Sequence, residues 1–211
     1  MADRGLAIRW RGGPEAALAA AGSVNIAGVD EAGRGPLAGP VVTAAVVFRG
    51  RVPRGIDDSK KLTASRREEL FEAIHAAADV SVAMAPPATI DRLNIRGATL
   101  FAMARAIAGL ERAPCHVLVD GRDTPPGAWP MSAVVGGDGL SLSIGAASIV
   151  AKVTRDRIMQ ALDRRFPVYG FAVHKGYATA MHREAIRRHG PCPHHRMSFA
   201  PCAGEAPDTD C

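Results

Sequence analysis

The sequence has little cysteine and no long apolar run. Its four cysteines include no CxxC pair, which excludes a zinc ribbon or a disulfide scaffold and predicts free thiols. The longest strongly apolar stretch, 41–48, is far shorter than the roughly 20 residues that cross a bilayer. The N-terminus has no signal-peptide pattern, because glycines and a proline interrupt it. We therefore predict a cytoplasmic protein without a membrane span.

The composition is that of an ordinary globular domain. Hydrophobic residues make up 47% and charged residues 22% of the 211 positions, which excludes a disordered or collagen-like chain. The 26 Lys and Arg exceed the 21 Asp and Glu, giving a formal net charge of +5. This modest excess favours a polyanionic partner and does not by itself identify one.

Apolar periodicity and turn residues predict an α/β domain built on a mixed central sheet. The predicted strands are 24–30, 40–48, 80–85, 116–120 and 131–135, and the predicted helices are 63–78, 89–110, 146–166 and 178–189. The segment from Pro191 onward is rich in proline and small polar residues, and we expect it to be loosely ordered.

Acidic residues follow two of the predicted strands. Asp30 and Glu31 close the first strand, and Asp120 closes the strand 116–120. Acids at strand ends also serve as helix caps or as solvated turn residues. Three of them at one edge of a sheet would repel one another, and a divalent cation would neutralise them. Hard oxygen ligands favour Mg²⁺ or Mn²⁺.

A glycine-rich loop follows the first acid pair. In Gly33-Arg34-Gly35 the glycines let the backbone approach a phosphate or sugar closely, and the arginine adds a charged fork. An ordinary turn with a surface arginine has the same sequence. Its position beside Asp30 and Glu31 is what favours a binding role.

Basic and aromatic residues further along the chain are candidates for substrate contact. Lys60 lies in a predicted loop, and Lys152 and Arg155 share one face of the long helix. They could follow phosphates, or form a solvated basic face beside nearby acids. Tyr177, in a His-Lys-Gly-Tyr run, could stack on a sugar or base, or could be a tyrosine at the edge of the core.

These residues together resemble a known family. The run IAGVDEAGRGP at 26–36 resembles the opening motif of bacterial ribonuclease HII, a type 2 ribonuclease H. Agreement continues at 58–62, 94–95, 119–121, 146–156, 169–171 and 174–177 and extends over 24–199. The resemblance implies a ribonuclease H-like α/β sheet with a small helical C-terminal extension. It leaves 1–23 as an N-terminal extension and 200–211 as a flexible tail.

The resemblance also implies an activity and roles for particular residues. A protein of this family hydrolyses the RNA strand of RNA–DNA hybrids and incises duplex DNA on the 5′ side of embedded ribonucleotides, which serves ribonucleotide and primer removal. Mn²⁺ or Mg²⁺ would be held by four acids: Asp30, Glu31, Asp120 and Asp138. Family members usually carry a lysine where this chain has Gly136.

For substrate binding, the resemblance implies two groups of residues. The junction of ribonucleotide and deoxyribonucleotide would be recognised by Gly33, Arg34, Gly35 and Tyr177. Phosphates would be positioned by Lys60, Lys152 and Arg155. Because phosphate contacts carry no sequence information, cleavage is expected to be independent of base sequence.

Two other functions remain as alternatives. A carboxylate-metal nuclease that acts on DNA alone would need no ribose-reading loop, so the Gly-Arg-Gly run and Tyr177 argue against it. A nucleic-acid-binding protein without activity would not need the acids. Nothing indicates more than a monomer, and 200–211 has no aromatic pair that would indicate a sliding-clamp partner.

Overall fold

The computed structural model describes residues 12–202. Within this range the strands are β1 (Ile26–Ala32), β2 (Val41–Phe48), β3 (Ala78–Ala85), β4 (His116–Asp120) and β5 (Met131–Val134). The helices are α1 (Gly13–Ala20), α2 (Ala64–Ala77), α3 (Pro87–Ala108), α4 (Leu142–Arg165), α5 (Phe171–His174) and α6 (Ala180–His189). Short 3-10 turns cover Gly137–Gly139 and Pro167–Tyr169.

The strands form one mixed sheet in the order β3-β2-β1-β4-β5. β1 pairs antiparallel with β2 and parallel with β4, so the sheet changes from antiparallel to parallel at β1. The predicted mixed α/β sheet is confirmed. The parallel register ends with Val29 opposite Val119, and the next residues on the two strands are Asp30 and Asp120.

Helices cover both faces of the sheet. On one face β2 packs against α2 and α4, with Phe48, Ile74 and Ile149 among the buried residues. On the other face β1 and β4 pack against α3, with Val29 and Ile107 buried together. Every residue of β2 is buried, which explains why its sequence is an almost unbroken apolar run.

Helix α4 begins at Leu142, four residues before the predicted start. Ser141 caps it, because its Oγ accepts a hydrogen bond of 3.1 Å from the backbone N–H of Ile144. Glu15 of α1 lies buried beside this cap and accepts hydrogen bonds from the hydroxyls of Ser141 and Ser143. Part of the N-terminal extension thus packs against the start of α4.

The C-terminal segment is ordered over 191–202, so the prediction of loose order from Pro191 onward was wrong for these residues. His195 and Arg196 are buried, and His195 forms a bridge to Ala38. Cys202 packs with Leu37. Residues 1–11 of the N-terminal extension and 203–211 of the predicted flexible tail lie outside the described residues. Within 12–202 no helix has the length and apolar character needed to cross a membrane.

Candidate active site

Three acidic side chains meet at the edge of the sheet where β1 and β4 end. Asp30 is almost fully buried, and its Oδ1 accepts a hydrogen bond of 2.7 Å from the backbone N–H of Glu31. On the neighbouring strand, Oδ1 of Asp120 accepts one of 2.7 Å from the backbone N–H of Gly137. Asp30, Glu31 and Asp120 line one cleft, and the charges of the other two act on Asp30, so the strand-end acids do lie close together.

These acids raise one another's pKa. Burial raises the pKa of Asp30 well above its usual value, and the charges of Glu31 and Asp120 raise it further. Burial likewise raises the pKa of Glu31, although the nearby Arg34 opposes the shift. The pKa of Asp120 is raised by burial and by Asp138. Each shift reports a cost of holding negative charge here, and a bound cation would remove that cost.

The donor set suits a small divalent cation. The acids offer hard carboxylate oxygens, which Mg²⁺ and Mn²⁺ prefer. Within residues 12–202 no three His, Cys, Asp or Glu side chains are arranged so that they alone could hold one metal ion. Mg²⁺ sites in nucleotide-processing enzymes commonly use one or two carboxylates together with substrate phosphate and water. The acids at this edge fit a site of that type.

The fourth predicted acid, Asp138, lies in the 3-10 turn that leads into α4. Its Oδ2 is 3.2 Å from Nζ of Lys60, so the carboxylate is paired with a cation from the loop between β2 and α2. Lys60 is largely exposed, and its Nζ also lies 3.9 Å from Oδ1 of Asp58, so water screens both ion pairs. The structure thus brings both residues to the same edge of the sheet as Asp120.

A cleft of about 260 Å³ joins most of the predicted site residues. It is lined by acids, by the glycine-rich loop and by basic and hydroxyl side chains: Asp30, Glu31, Ala32, Gly33, Arg34, Ser59, Lys60, Asp120, Ser148, Lys152, Arg155 and Tyr177. The predicted residues outside this lining are Gly35 and Asp138. A Cβ on Gly35 would lie 3.9 Å from a ring carbon of Tyr177, so the loop and the tyrosine are neighbours.

The glycine-rich loop is packed against a buried arginine of α4. The three guanidinium nitrogens of Arg155 donate to the backbone carbonyls of Ala38, Pro40 and Lys175. Gly33 has a φ of +93°, and a Cβ there would lie only 1.9 Å from Nε of Arg155. Glycine is therefore required at this position.

The position of Arg155 does not support the predicted phosphate contact. The side chain is only 1% exposed, and its donors are directed at backbone carbonyls. We assign it to holding the loop after β1 against α4. Lys152, one turn earlier on α4, is partly exposed and forms an ion pair of 2.7 Å with Asp156.

Two serines in the cleft were not predicted as site residues. Oγ of Ser148 on α4 lies 2.9 Å from Oγ of Ser59, which joins the loop before α2 to the helix. A hydrogen bond from Ser148 also lowers the pKa of Asp30, partly offsetting burial. Ser148 lies in the 146–156 motif, and its small size in an otherwise apolar helix face was the available signal.

Comparisons with known proteins agree with this geometry. A sequence model of the Ribonuclease HII family matches residues 27–202. A Ribonuclease HII from Azorhizobium caulinodans is 61% identical over 188 residues, which cover 89% of this chain and 73% of that protein.

Solved structures give the same result at lower identity. The RNase HII in a PCNA complex from Archaeoglobus fulgidus has a TM-score of 0.70 and 29% identity, covering 83% of this chain and 95% of that one. The ribonuclease H2 of Pyrococcus horikoshii has a TM-score of 0.70 and 27% identity, covering 85% of this chain and 95% of that one. The similarity therefore extends over sequence and fold alike.

Proposed function

The chain belongs to the ribonuclease HII family and is a divalent-metal-dependent ribonuclease H, and on this basis we propose that it incises duplex DNA 5′ of embedded ribonucleotides. The observation that carries the proposal is a single cleft that combines a carboxylate cluster with a glycine-rich loop and an exposed tyrosine. A nuclease that must detect one ribose needs both parts, because cleavage and ribose recognition occur at neighbouring positions of one strand.

The acids supply the metal-binding half of the site. We propose that Asp30, Glu31, Asp120 and Asp138 hold Mg²⁺ or Mn²⁺, with water and a substrate phosphate completing the ligand set. Bound divalent ions would supply Lewis acidity to the attacking water and to the leaving oxygen of the phosphodiester. The raised pKa of Asp30 supports this role, since the buried acid gains most from a neighbouring cation.

Lys60 and Asp138 are suited to changing partners when substrate enters. The Lys60 ammonium neutralises Asp138 in the absence of substrate. A phosphate near this edge of the cleft offers Lys60 a second anion, and its flexible exposed chain can reach it. We propose that Lys60 and Lys152 position backbone phosphates, and that Arg155 holds the glycine-rich loop against α4 without contacting a phosphate.

The glycine-rich loop and Tyr177 supply the ribose-reading half. Backbone N–H groups of Gly33, Arg34 and Gly35 can approach a 2′-hydroxyl closely because no side chain stands before the glycines. The ring of Tyr177, about half exposed beside Gly35, can pack against the adjoining sugar. We propose that these residues recognise the junction between ribonucleotide and deoxyribonucleotide.

The domain bounds, the oligomeric state and the location in the cell are part of the same proposal. We take 24–199 as the catalytic domain and the protein as a monomer. We propose a cytoplasmic location, because the proposed substrate is DNA and the relatives of highest identity come from bacteria. The archaeal relative is found with PCNA, whereas 200–211 of this chain has no aromatic pair of the kind expected of a clamp-binding segment.

The proposal is tested with two end-labelled duplexes that differ by one 2′-hydroxyl. With Mg²⁺ or Mn²⁺, we expect one cut on the 5′ side of the ribonucleotide, no cut in the all-DNA duplex, and none with a chelator. Equal cutting of both duplexes would instead identify a DNA nuclease. Binding of both without any metal-dependent product would identify a binding protein.

A further inference from the structure

Arg196 lies fully buried behind the glycine-rich loop, although it comes from the C-terminal segment. Its NH1 donates to the carbonyl of Arg34 at 2.7 Å, and its NH2 donates to the carbonyl of Gly33 at 2.5 Å. Nε and NH2 also donate to the carbonyl of Gly39, at 3.1 and 3.0 Å. Every nitrogen of the guanidinium is thus bonded to the backbone of 33–39.

These bonds determine where the loop's N–H groups point. Only Ala200-Pro201 is cis within the described residues, and in a trans peptide the carbonyl and the N–H point in opposite directions. The carbonyl of Gly33 shares a peptide with the N–H of Arg34, and the carbonyl of Arg34 shares one with the N–H of Gly35. Holding the two carbonyls towards Arg196 therefore turns these two N–H groups away from it.

The two N–H groups have no protein partner. Within residues 12–202 no acceptor receives the backbone N–H of Arg34 or of Gly35. Gly33 and Arg34 line the cleft that contains the acids. Two donors directed away from the protein interior beside a nuclease cleft are available to a hydroxyl of the substrate.

We propose that Arg196 is a positioning residue for ribose recognition. It holds the carbonyls of Gly33 and Arg34, so that the N–H groups of Arg34 and Gly35 point outward and meet the 2′-hydroxyl of the ribonucleotide. The inference rests on the proposed function and deepens it. It assigns the C-terminal segment a part in substrate selection, through the backbone of the loop and without contact to the substrate.

Arg196 is itself held rigidly on both sides. Its own backbone N–H donates to the carbonyl of Leu37 at 2.8 Å, and the N–H of Gly39 donates to the carbonyl of His194 at 2.8 Å. Two residues further on, Asp91 of α3 accepts bonds from the N–H and Oγ of Ser198 at 2.9 and 2.6 Å. The backbone on either side of Arg196 is therefore anchored to both the loop and α3.

The chemistry of Arg196 suits a geometric role. Arg196 forms no ion pair with a carboxylate of the described residues. Burial and the charge of Arg155 lower its pKa to about 9, although the charge of Asp91 opposes this shift. A buried cation without a paired anion is costly, and here backbone carbonyls, the ring of Phe199 at 5.1 Å and the charge of Asp91 offset the cost. Lysine would keep the charge but could not bond three carbonyls in a plane.

The test compares binding of two duplexes by the full chain and by Arg196→Lys. The duplexes differ by one 2′-hydroxyl, and a chelator keeps them intact during fluorescence anisotropy. We expect Arg196→Lys to bind the ribonucleotide duplex about tenfold more weakly, a loss on the scale of one or two hydrogen bonds. Its affinity for the all-DNA duplex should change less than about twofold.

Two further variants keep the test decisive. Ile107→Val shortens a buried side chain at the far end of α3 from Asp91, where it packs against β1 and β4; it lowers stability and should leave the ratio of the two affinities unchanged. Asp91→Ala loosens the segment from the α3 side and should lower the ratio by about threefold. It replaces Arg196→Lys if that variant does not fold.

The outcomes distinguish the role of Arg196 from the proposed function itself. If the wild type prefers the ribonucleotide duplex and the variant keeps that preference, the inference about Arg196 is overturned and the proposed function stands. If the wild type binds both duplexes equally, the inference is overturned, and cleavage of the same two duplexes with Mg²⁺ decides the proposed function. Loss of the preference in the variant, with all-DNA affinity retained, supports the inference.

Discussion

The carboxylate of Asp120 is bound to the backbone N–H of Gly137 at a distance of 2.7 Å. This bond joins the end of β4 to the 3-10 turn that carries Asp138, the fourth candidate acid. The turn is close-packed, since a Cβ on Gly137 would lie 2.5 Å from Cδ1 of Ile144 and 3.3 Å from Oδ1 of Asp120. The positions of Asp120 and Asp138 are therefore set together.

Gly137→Ala should disturb both acids at once. The added methyl overlaps Ile144 and crowds the Asp120 carboxylate, so we expect a loss of about 1–3 kcal/mol of unfolding free energy and a lower kcat. Gly139→Ala is the matched control, because a Cβ there meets nothing within 4 Å. Urea unfolding and cleavage rates decide the matter. Equal behaviour of the two variants would show that the turn does not constrain the acids.

Asp30→Asn should stabilise the metal-free protein while removing its activity. Because burial and neighbouring acids raise the pKa of Asp30, its ionised form at neutral pH opposes folding, and a neutral amide relieves this. The melting temperature in chelator should rise. Added Mg²⁺ should raise the melting temperature of the wild type more than that of the variant, since binding to the native state stabilises it.

Asp57→Asn is the control for this change. Asp57 is exposed, and hydrogen bonding to the backbone of Asp58 together with Lys61 lowers its pKa. Removing its charge should therefore give no increase in melting temperature. A lower melting temperature for Asp30→Asn in chelator would contradict the view that this acid is destabilising without a cation.

Through Glu15, the N-terminal extension should contribute to the free energy of unfolding. Its Oε1 accepts bonds of 2.6, 2.9 and 2.8 Å from Ser141 Oγ, Ser143 N and Ser143 Oγ. Glu15→Ala leaves buried donors without an acceptor, and we expect a loss of about 1–3 kcal/mol in urea unfolding. Glu69→Ala, on the exposed face of α2, should cost much less.

A chain beginning at residue 24 tests the proposed domain boundary in the same way. It lacks Glu15 and should lose at least as much stability as Glu15→Ala. If the shortened chain unfolds at the same urea concentration as the full chain, the contact of α1 with the start of α4 contributes nothing.

Two buried histidines, His182 and His195, should make the fold sensitive to acid. Nε2 of His182 and Nε2 of His195 lie 3.0 Å apart, and Nδ1 of His195 accepts a bond from the backbone N–H of Cys192. His195 must then donate from Nε2 to His182, whose Nδ1 donates to the carbonyl of Tyr177. This chain requires both rings to be neutral and ends on a residue of the proposed substrate site.

Burial and neighbouring histidines lower the pKa of His195 to about 4. Since its folded pKa lies below the unfolded value near 6.5, the unfolded chain binds more protons between these values. Above about pH 6.5 His195 therefore adds no pH dependence, and proton uptake at His195 of the unfolded chain lowers stability by about 3 kcal/mol as the pH falls to 4. Urea unfolding from pH 7 to 4.5 should show this decline.

His195→Gln should flatten that decline, whereas His75→Gln, on the exposed surface of α2, should leave it unchanged. A wild-type stability that stays constant from pH 6.5 to 4.5 would show that the buried histidines accept protons without strain.

The sheet and its acids could be predicted from sequence because both depend on local patterns. β4 was predicted with its observed bounds, 116–120, and Asp30 and Asp120 follow apolar runs whose ends meet in a parallel pair. The predicted continuous helix 89–110 is interrupted at Asn94, which has a φ of +55°. Asparagine tolerates this conformation, but nothing in the helical pattern required it.

The remaining features depend on contacts between distant residues. Arg155 and Arg196 were expected to be surface or tail residues, yet both are buried against backbone carbonyls. Carbonyls are present at every residue, so the sequence does not indicate which of them a buried arginine will bind. Glu15 was missed for the same reason, because its partners are 126 and 128 residues away.

The most direct test of the account is the metal-dependent cleavage of a single-ribonucleotide duplex by Asp120→Asn. The amide keeps an oxygen for the N–H of Gly137, so the fold should persist, but a carboxylate ligand is lost. We expect cleavage to fall more than about a hundredfold with duplex binding retained, while Glu184→Gln, on the exposed surface of α6, stays fully active. Cleavage by Asp120→Asn at the wild-type rate would contradict the assignment of the acid cluster as the catalytic metal site.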